Sequence, residues 1–367
     1  MPIAFIFYIQ YTILVKDSQH LYGYLKEVFY MYNRYLITGA TGFLGRAIVE
    51  ELVRRNVRVD ALVLHDDPYV ALLPEKVRTV IGDICDDDSL EQFFADTDNN
   101  TCVIHCAGII SVASRSGSKL YQVKIGGTCK VVRQCLEHHI GKMIHVSSVH
   151  AIPEKPKNCV ITEDCEFSPG LVDGDYAKSK AAATEMVFRA ARQGLNVSIV
   201  FPSGIIGPGD VIGGSFTSVA KSFLNGKLPF AVRGGYDFVD VRDVAKGILA
   251  CAKSGEQGKG YILSGHYITI RRMLQIVGKA AKRIYRPICL PLKIAGLAAP
   301  FFERRCLKEK KPLFFTPYSI AVLGSNGRFT HAAATERFAY RPRPIEETLR
   351  DMTAWLVSQK AKAGSAL

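Results

Sequence analysis

The chain has no Cys-x-x-Cys pair, no zinc-finger spacing and no stretch in which aromatic and basic residues interleave. Its ten cysteines are residues 85, 102, 106, 129, 135, 159, 165, 251, 289 and 306. Most sit inside apolar or helical runs such as "VIHCAGII" and "VVRQCLEHH". That pattern fits free thiols in a reducing, cytoplasmic compartment and excludes a disulfide frame. His138 and His139 are adjacent, so on a helix they face different sides, and no metal site is expected. The formal net charge is +13, but it is spread along the chain. Without a nucleic-acid motif to focus it, this charge does not imply nucleic acid as a partner. The densest basic cluster, "ERRCLKEKK" at 303–311, lies in an apolar C-terminal region. An anionic ligand or a membrane surface suits it better. A homodimer is one candidate assembly.

Long apolar runs are also scarce. The run "MPIAFIFYIQYTILV" ends at Lys16, too short for a membrane span. It has neither a basic leader nor a small-residue cleavage site, so it does not read as a signal peptide. "MYNRYLITGATG" then opens at Met31. We expect Met31 to be the biological start and residues 1–30 an extension; the alternative is an interfacial anchor. No internal repeat or low-complexity linker divides the rest. At 367 residues, 48% hydrophobic and 22% charged, the chain fits a soluble globular protein with an ample core.

From residue 34 onward, β-branched runs alternate with helical patterns. "RYLITGA", "VRVDALVL", "TCVIHCA", "KMIHVSS" and "NVSIVFPS" are strands. "GRAIVEELVRRN", "DDDSLEQFFAD", "GTCKVVRQCLEHH" and "YAKSKAAATEMVFRAARQ" are helices. This alternation predicts an α/β protein with a doubly wound parallel sheet, a Rossmann fold. After about residue 205 the rhythm loosens into "GIIGPGDVIGGS" and apolar segments. The expected division is a dinucleotide-binding domain at 31–205 and a smaller substrate lobe at 206–367, with some segments returning to the core.

"LITGATGFLGRAI" places Gly39, Gly42 and Gly45 between a strand and a helix. The first glycine permits a tight turn, the second a close approach to a pyrophosphate, and the third the packing of helix on strand. The helix start adds unpaired N–H groups for the anion. Asp83, at the end of "VIGD", is either an acceptor for an adenine amine or an ordinary helix N-cap. Ala107 and Gly108 are small enough for a dinucleotide to lie across them. The second strand ends "LHDD", with Leu64, His65, Asp66 and Asp67 and no base at its tip. That favours NAD over NADP, although Arg46 is placed to compensate for a phosphate.

Tyr176 and Lys180 stand four apart in "DGDYAKSKAAAT". Alone, such a pair reads as a half-buried ring beside a solvated charge. Together with "TGATGFLG", "GDI", "HCAG", "VSS", "FPSGIIGPGD" and "FVDVRDVAKGI", it makes the chain resemble the extended short-chain dehydrogenase/reductase family. The likeness spans about residues 34–357. It is nearest the branch of dihydroflavonol reductases and 3β-hydroxysteroid dehydrogenases, with "TPYSI" and "RFAYRPRPIEETLRDMTAWL" among the shared features.

The resemblance implies an NAD(P)-dependent oxidoreductase. Tyr176 is then the acid/base, Lys180 its partner, and Ser148 the hydroxyl that holds the substrate oxygen, with Ser147 as the fallback. It implies a cofactor set of Gly39, Thr41, Gly42, Phe43, Leu44, Gly45, His65, Asp83, Ile84, Ala107, Gly108, Tyr176, Lys180, Pro202 and Ile205. Two positions depart from the family pattern. Lys124 stands where an asparagine is usual, and Phe201 where many sugar-nucleotide members carry arginine. A phenol is too weak a base near neutrality, and a neighbouring ammonium would lower its pKa.

The segments "YRPICLPLKIAGLAAPFF" and "KPLFFTPYSIAVL" favour an apolar ketone or alcohol, steroid- or flavonoid-like, as the small-molecule substrate. They read equally as lobe packing, or as a peripheral membrane contact rimmed by "RRCLKEKK". An alternative keeps the fold but makes the enzyme a nucleotide-sugar epimerase or dehydratase, with Arg233, Arg242 and Arg271 as candidates for the diphosphate. A third reading is a dinucleotide-binding sensor or scaffold without turnover, against which the complete Ser148, Tyr176 and Lys180 set argues.

Overall fold

The computed structural model describes residues 32–109, 117–228, 230–283, 287–309 and 313–364. The expectations for residues 1–30 and Met31 lie outside them.

The first strand, β1 (Arg34–Thr38), is buried along its whole length and pairs in parallel with β2 (Arg58–Val63) and β4 (Thr101–His105). With β3 (Arg78–Ile81), β5 (Lys142–Val146), β6 (Val197–Pro202) and β10 (Gly260–Leu263) they form a seven-stranded sheet of order β10-β6-β5-β4-β1-β2-β3. Every pairing in it is parallel. The β4, β5 and β6 runs are buried residue after residue, as expected of strands covered on both faces. The strand order reverses between β1 and β4, which opens a crevice at their C-terminal ends.

The starting ends of the strands are held by buried polar pins. Arg34 Nε donates to Asp60 Oδ2 at 2.7 Å, and its Nη1 donates to the carbonyls of Ala95 and Asp96. Lys142 Nζ donates to Asn196 Oδ1 (3.1 Å), Ser198 Oγ (2.8 Å) and the Gly255 carbonyl (2.8 Å). A buried charge is tolerated only when partnered in this way. The opposite, C-terminal ends carry the site.

Helix α1 (Phe43–Arg54) buries Ile48, Val49 and Leu52 beneath the sheet, following its apolar spacing. Helices α2 (Asp87–Phe94), α3 (Thr128–Glu137) and α4 (Asp175–Arg192) pack against one another in sequence. Phe201 of β6 lies fully inside, its ring stacked on Phe167 with centroids 5.1 Å apart. The departure noted at Phe201 is therefore a core residue.

Beyond β6 the chain builds smaller sheets. β7 (Gly204–Ile206) runs parallel to β9 (Gly235–Asp240), which pairs antiparallel with β11 (His266–Thr269). β8 (Phe230–Val232) runs parallel to β12 (Ile288–Leu290). Helices α5 (Ser215–Leu224), α7 (Ile270–Ala280), α8 (Leu292–Lys308) and α9 (Pro317–Gly324) complete this part. Between them the chain returns to the main sheet. Helix α6 (Val241–Ser254) packs on α1, and β10 closes the sheet edge beside β6.

Candidate active site

A cavity of about 1150 Å³ opens at the strand ends. Its first wall is the turn after β1. Gly39 has φ +72°, and a Cβ there would meet the Ala107 nitrogen at 2.7 Å. A Cβ on Gly45 would meet the Gly39 carbonyl oxygen at 2.1 Å. Only glycine fits either place. Gly42 is the N-cap of α1 and supplies no side-chain cap, so the first-turn N–H groups keep their hydrogen-bonding capacity. Phe43, Leu44 and Gly45 of that turn line the cavity. An uncapped helix start beneath a bare glycine turn fits the pyrophosphate of a dinucleotide.

Thr41, Leu64, His65, Asp66 and Asp67 continue the wall. The Thr41 hydroxyl donates to Asp67 Oδ2 at 2.6 Å, and His65 pairs with Asp66, so the tip of β2 is acidic and tied to the turn. Arg46 does not reach it. Arg46 is buried and donates through Nη2 to the Gly209 carbonyl at 2.6 Å, and it is not among the cavity-lining residues. The compensation expected of Arg46 is thus not met, because its first-turn position turns it under the 204–210 loop.

Ala107, Gly108, Pro202 and Ile205 line the cavity; Asp83 and Ile84 do not. Asp83 Oδ1 accepts from the Cys85 N–H at 2.9 Å, while the cap of α2 is Asp86, which accepts from the Ser89 N–H at 3.0 Å. The N-cap alternative for Asp83 therefore passes to Asp86. Ile84 is buried against Gly127.

Helix α4 brings Tyr176 and Lys180 to the cavity. Its buried face is small, with Ala177, Ser179, Ala181, Ala183 and Thr184, so the helix axis approaches the sheet closely. Gly174, its N-cap, has φ +87°, and a Cβ there would meet the Tyr318 ring at 2.6 Å. Tyr176 and Ser148 both line the cavity, and Ser148 Oγ accepts from the His150 N–H at 3.3 Å. Ser147 also faces the cavity, but its hydroxyl is engaged by Thr184 at 2.6 Å. The geometry thus separates the two serines.

Lys180 Nζ donates to the Val146 carbonyl at 2.7 Å, and burial brings its pKa down to about 8. Burial pushes the Tyr176 phenol above its ordinary value, and the Ser148 hydroxyl pulls it back in part.

One further feature was not recognised from the sequence, and a second was seen there only as a departure. His150, two residues past Ser148, stacks on Tyr236 with centroids 5.7 Å apart and meets the Tyr176 ring edge-on at the same distance. Its Nε2 bonds the Tyr236 hydroxyl at 2.9 Å and its Nδ1 the Tyr318 hydroxyl at 3.1 Å. Burial, then Lys124, brings its pKa to about 4, so the imidazole is neutral and one nitrogen donates while the other accepts. The tyrosine that accepts keeps its own proton to offer.

Lys124 is buried in a π-helical turn, Gln122–Gly127, with its Nζ 3.4 Å from the centroid of the Tyr176 ring. Among the described residues Nζ has no hydrogen-bond partner, and burial followed by Lys180 brings its pKa to about 5. The departure from asparagine therefore puts a neutral amine beside the Tyr176 ring. Such turns recur at functional sites.

The far end of the cavity is walled by Phe216, Leu228, Val232, Phe302, Phe315 and Leu323, among others. Arg233, Arg242 and Arg271 are not among its lining residues. Arg242 is tied to Asp240 and Asp351, and Arg233 and Arg271 are exposed. All ten cysteines are free.

Residues 35–264 match the sequence model of the NAD dependent epimerase/dehydratase family. The chain is 28% identical over 324 residues to "Sterol demethylase protein B" of Methylococcus capsulatus, covering 87% of this chain and 97% of that protein. It is 25% identical over 348 residues to "3beta-hydroxysteroid-dehydrogenase/decarboxylase isoform 1" of Arabidopsis thaliana, covering 86% and 77%. Among solved structures, the UDP-glucose 4-epimerase of Thermus thermophilus in complex with NAD superposes with a TM-score of 0.71 at 21% identity, covering 88% of this chain and 99% of that one.

Proposed function

The chain belongs to the NAD dependent epimerase/dehydratase family, enzymes of the extended short-chain dehydrogenase/reductase type, and from that premise we propose that it interconverts a ketone and a secondary alcohol on an apolar, sterol-like substrate. The observation that carries this reading is the far end of the cavity. Its walls are largely aromatic and aliphatic, and the three arginines considered for a diphosphate lie outside it. Among the described lining residues, Lys227 beside Leu228 is the cation this end offers, a poor match for the two charges of a sugar diphosphate. The names of the Methylococcus and Arabidopsis relatives point to the same substrate class.

The cofactor is a nicotinamide dinucleotide. Gly39, Gly42 and the first turn of α1 would hold its pyrophosphate, and the acidic tip of β2, with no base beside it, favours NAD over NADP. When bound, the nicotinamide accepts or supplies the hydride. The chain's residues handle the oxygen and its proton. Ser148 and Tyr176 offer the substrate oxygen two hydroxyls on one wall of the cavity. Tyr176 gives its phenolic proton to the substrate oxygen in reduction and, as the phenolate, takes the hydroxyl proton in oxidation. Lys180, fixed on the Val146 carbonyl, brings positive charge to the same strand end. Burial behind apolar walls strengthens each of these interactions.

The test is a spectrophotometric screen of hydroxy- and ketosteroids, aromatic ketones and UDP- and GDP-sugars, each with NAD(H) and NADP(H). We expect turnover of the steroids with NAD(H). Conversion of a nucleotide sugar with no net change in nicotinamide absorbance would overturn the reading in favour of an epimerase.

A further inference from the structure

Helix α8 has two apolar sides. One is turned inward: Ala295 and Ala299 are buried, and the partly buried Phe302 and Cys306 line the cavity. The other faces outward. Along the stripe Ile294, Leu297 and Phe301, at helical spacing, the exposures are 53%, 85% and 67%. Ile288 of β12, 70% exposed, stands opposite Phe230 in the strand pair. Phe230 packs edge-on against Phe302, which meets Phe301 in the same way. The exposed side chains thus join into one surface through Phe302. Single exposed apolar residues are ordinary; a contiguous set of this size is a contact surface.

The outer side also changes character along its length. Past Phe301 come Arg304, Arg305 and Lys308, all exposed, and Lys293 is exposed at the start of the helix. Arg305 is partnered by Glu309. The helix's own acid, Glu303, is buried. An apolar patch with a basic rim matches the interface of an anionic bilayer, where apolar side chains enter the acyl boundary and cations meet headgroups. No described helix is long and apolar enough to cross a membrane, so the fit is to lying on the surface.

We propose that the outer face of α8, with Ile288 and Phe230, docks on an anionic lipid surface and sets the phenylalanine-lined end of the cavity against the bilayer. Phe230 and Phe302 belong to both surfaces, since both also line the cavity. A substrate that partitions into lipid therefore meets the cavity without crossing water. The docking itself does not depend on the substrate reading above, because it is read by binding alone.

The experiment is co-sedimentation of the full chain with phosphatidylcholine vesicles, with and without phosphatidylserine. Binding is expected to the anionic vesicles and to weaken as salt is raised. Leu297→Glu combined with Phe301→Glu should cut partitioning roughly tenfold or more. Arg304→Glu with Lys308→Glu should cut it mainly on anionic vesicles. Both pairs lie outside the cavity lining, so turnover of a water-soluble substrate should stay unchanged while turnover of a vesicle-borne one falls.

Three results would each overturn the proposal. The first is absence of binding to either vesicle. The second is a dimer in light scattering that the Leu297 and Phe301 substitutions dissolve, which would make a second copy the occupant. The third is vesicle binding that vanishes on deletion of residues 1–30 but survives the α8 substitutions, which would assign it to that apolar segment.

Discussion

The two ends of the cavity are built from different materials. The dinucleotide end is largely main chain: a glycine turn and an uncapped helix start, contributed by six of the seven positions from Gly39 to Gly45. The substrate end is side chain: rings and branched aliphatics from α5, β8, α8 and α9, elements far apart in sequence. Main-chain N–H groups recognise a feature common to many dinucleotides, and they tolerate no Cβ. Side-chain walls recognise one shape and can be changed one by one. Hence the cofactor end should respond to substitution by failing, and the substrate end by shifting its preference.

The largest effect is expected where the two ends meet. Tyr176→Phe keeps the ring and removes the proton carrier, so turnover should fall roughly 10²-fold or more in steady-state assays while dinucleotide affinity changes little. A near-normal rate would remove Tyr176 from its role. At the main-chain end, Gly45→Ala places a methyl 2.1 Å from the Gly39 carbonyl oxygen. Dinucleotide affinity, measured by calorimetry, should drop about tenfold or more, with a lower melting temperature. At the side-chain end, Phe315→Ala opens the far wall. KM for an apolar substrate should rise roughly tenfold with dinucleotide affinity intact. If Phe315→Ala weakened the cofactor instead, the division between the ends would not hold.

Smaller effects come from the two neutral bases between the ends. His150, with its pKa brought from 6.5 to about 4, stays unprotonated in the folded chain where the unfolded chain takes up a proton. Stability should therefore fall as pH drops from about 6.5 towards about 4. Lys124, brought from 10.5 to about 5, acts with the same sign over its own range, so stability should rise with pH above about 5. Urea unfolding across that range should show a slope that His150→Gln reduces. Lys124→Met replaces a buried amine lacking a partner, and is expected to raise stability by about 1 kcal/mol or more. A loss of stability in that variant would mean the amine has a partner that the geometry does not show.

The same contrast explains what could be read in advance. The glycine turn, the parallel sheet and the Tyr176–Lys180 pair are local patterns, and each lies where its spacing placed it. The resemblance ranked Ser148 over Ser147, but the physical reason, that Thr184 on another element takes the Ser147 hydroxyl, is visible only in the fold. Arg46 stood in the right place in the sequence and points the wrong way in space. His150 meets Tyr236 and Tyr318 across separations of 86 and 168 residues, and no spacing rule connects them. The position of Lys124 was noticed as a departure, but its neutrality follows only from burial against Tyr176.

The amino-acid order by itself determined the doubly wound sheet and the dinucleotide turn, because strand alternation and glycine geometry act over a few residues. It also determined which phenol and which ammonium share a helix face. Tertiary structure alone decided that Lys180 is drawn to the Val146 carbonyl and that the Tyr176 ring lies between a neutral histidine and a neutral lysine. It alone decided that one side of α8 walls the cavity while the other meets solvent. These outcomes depend on burial and on partners brought from distant segments, and neither exists until the chain has folded.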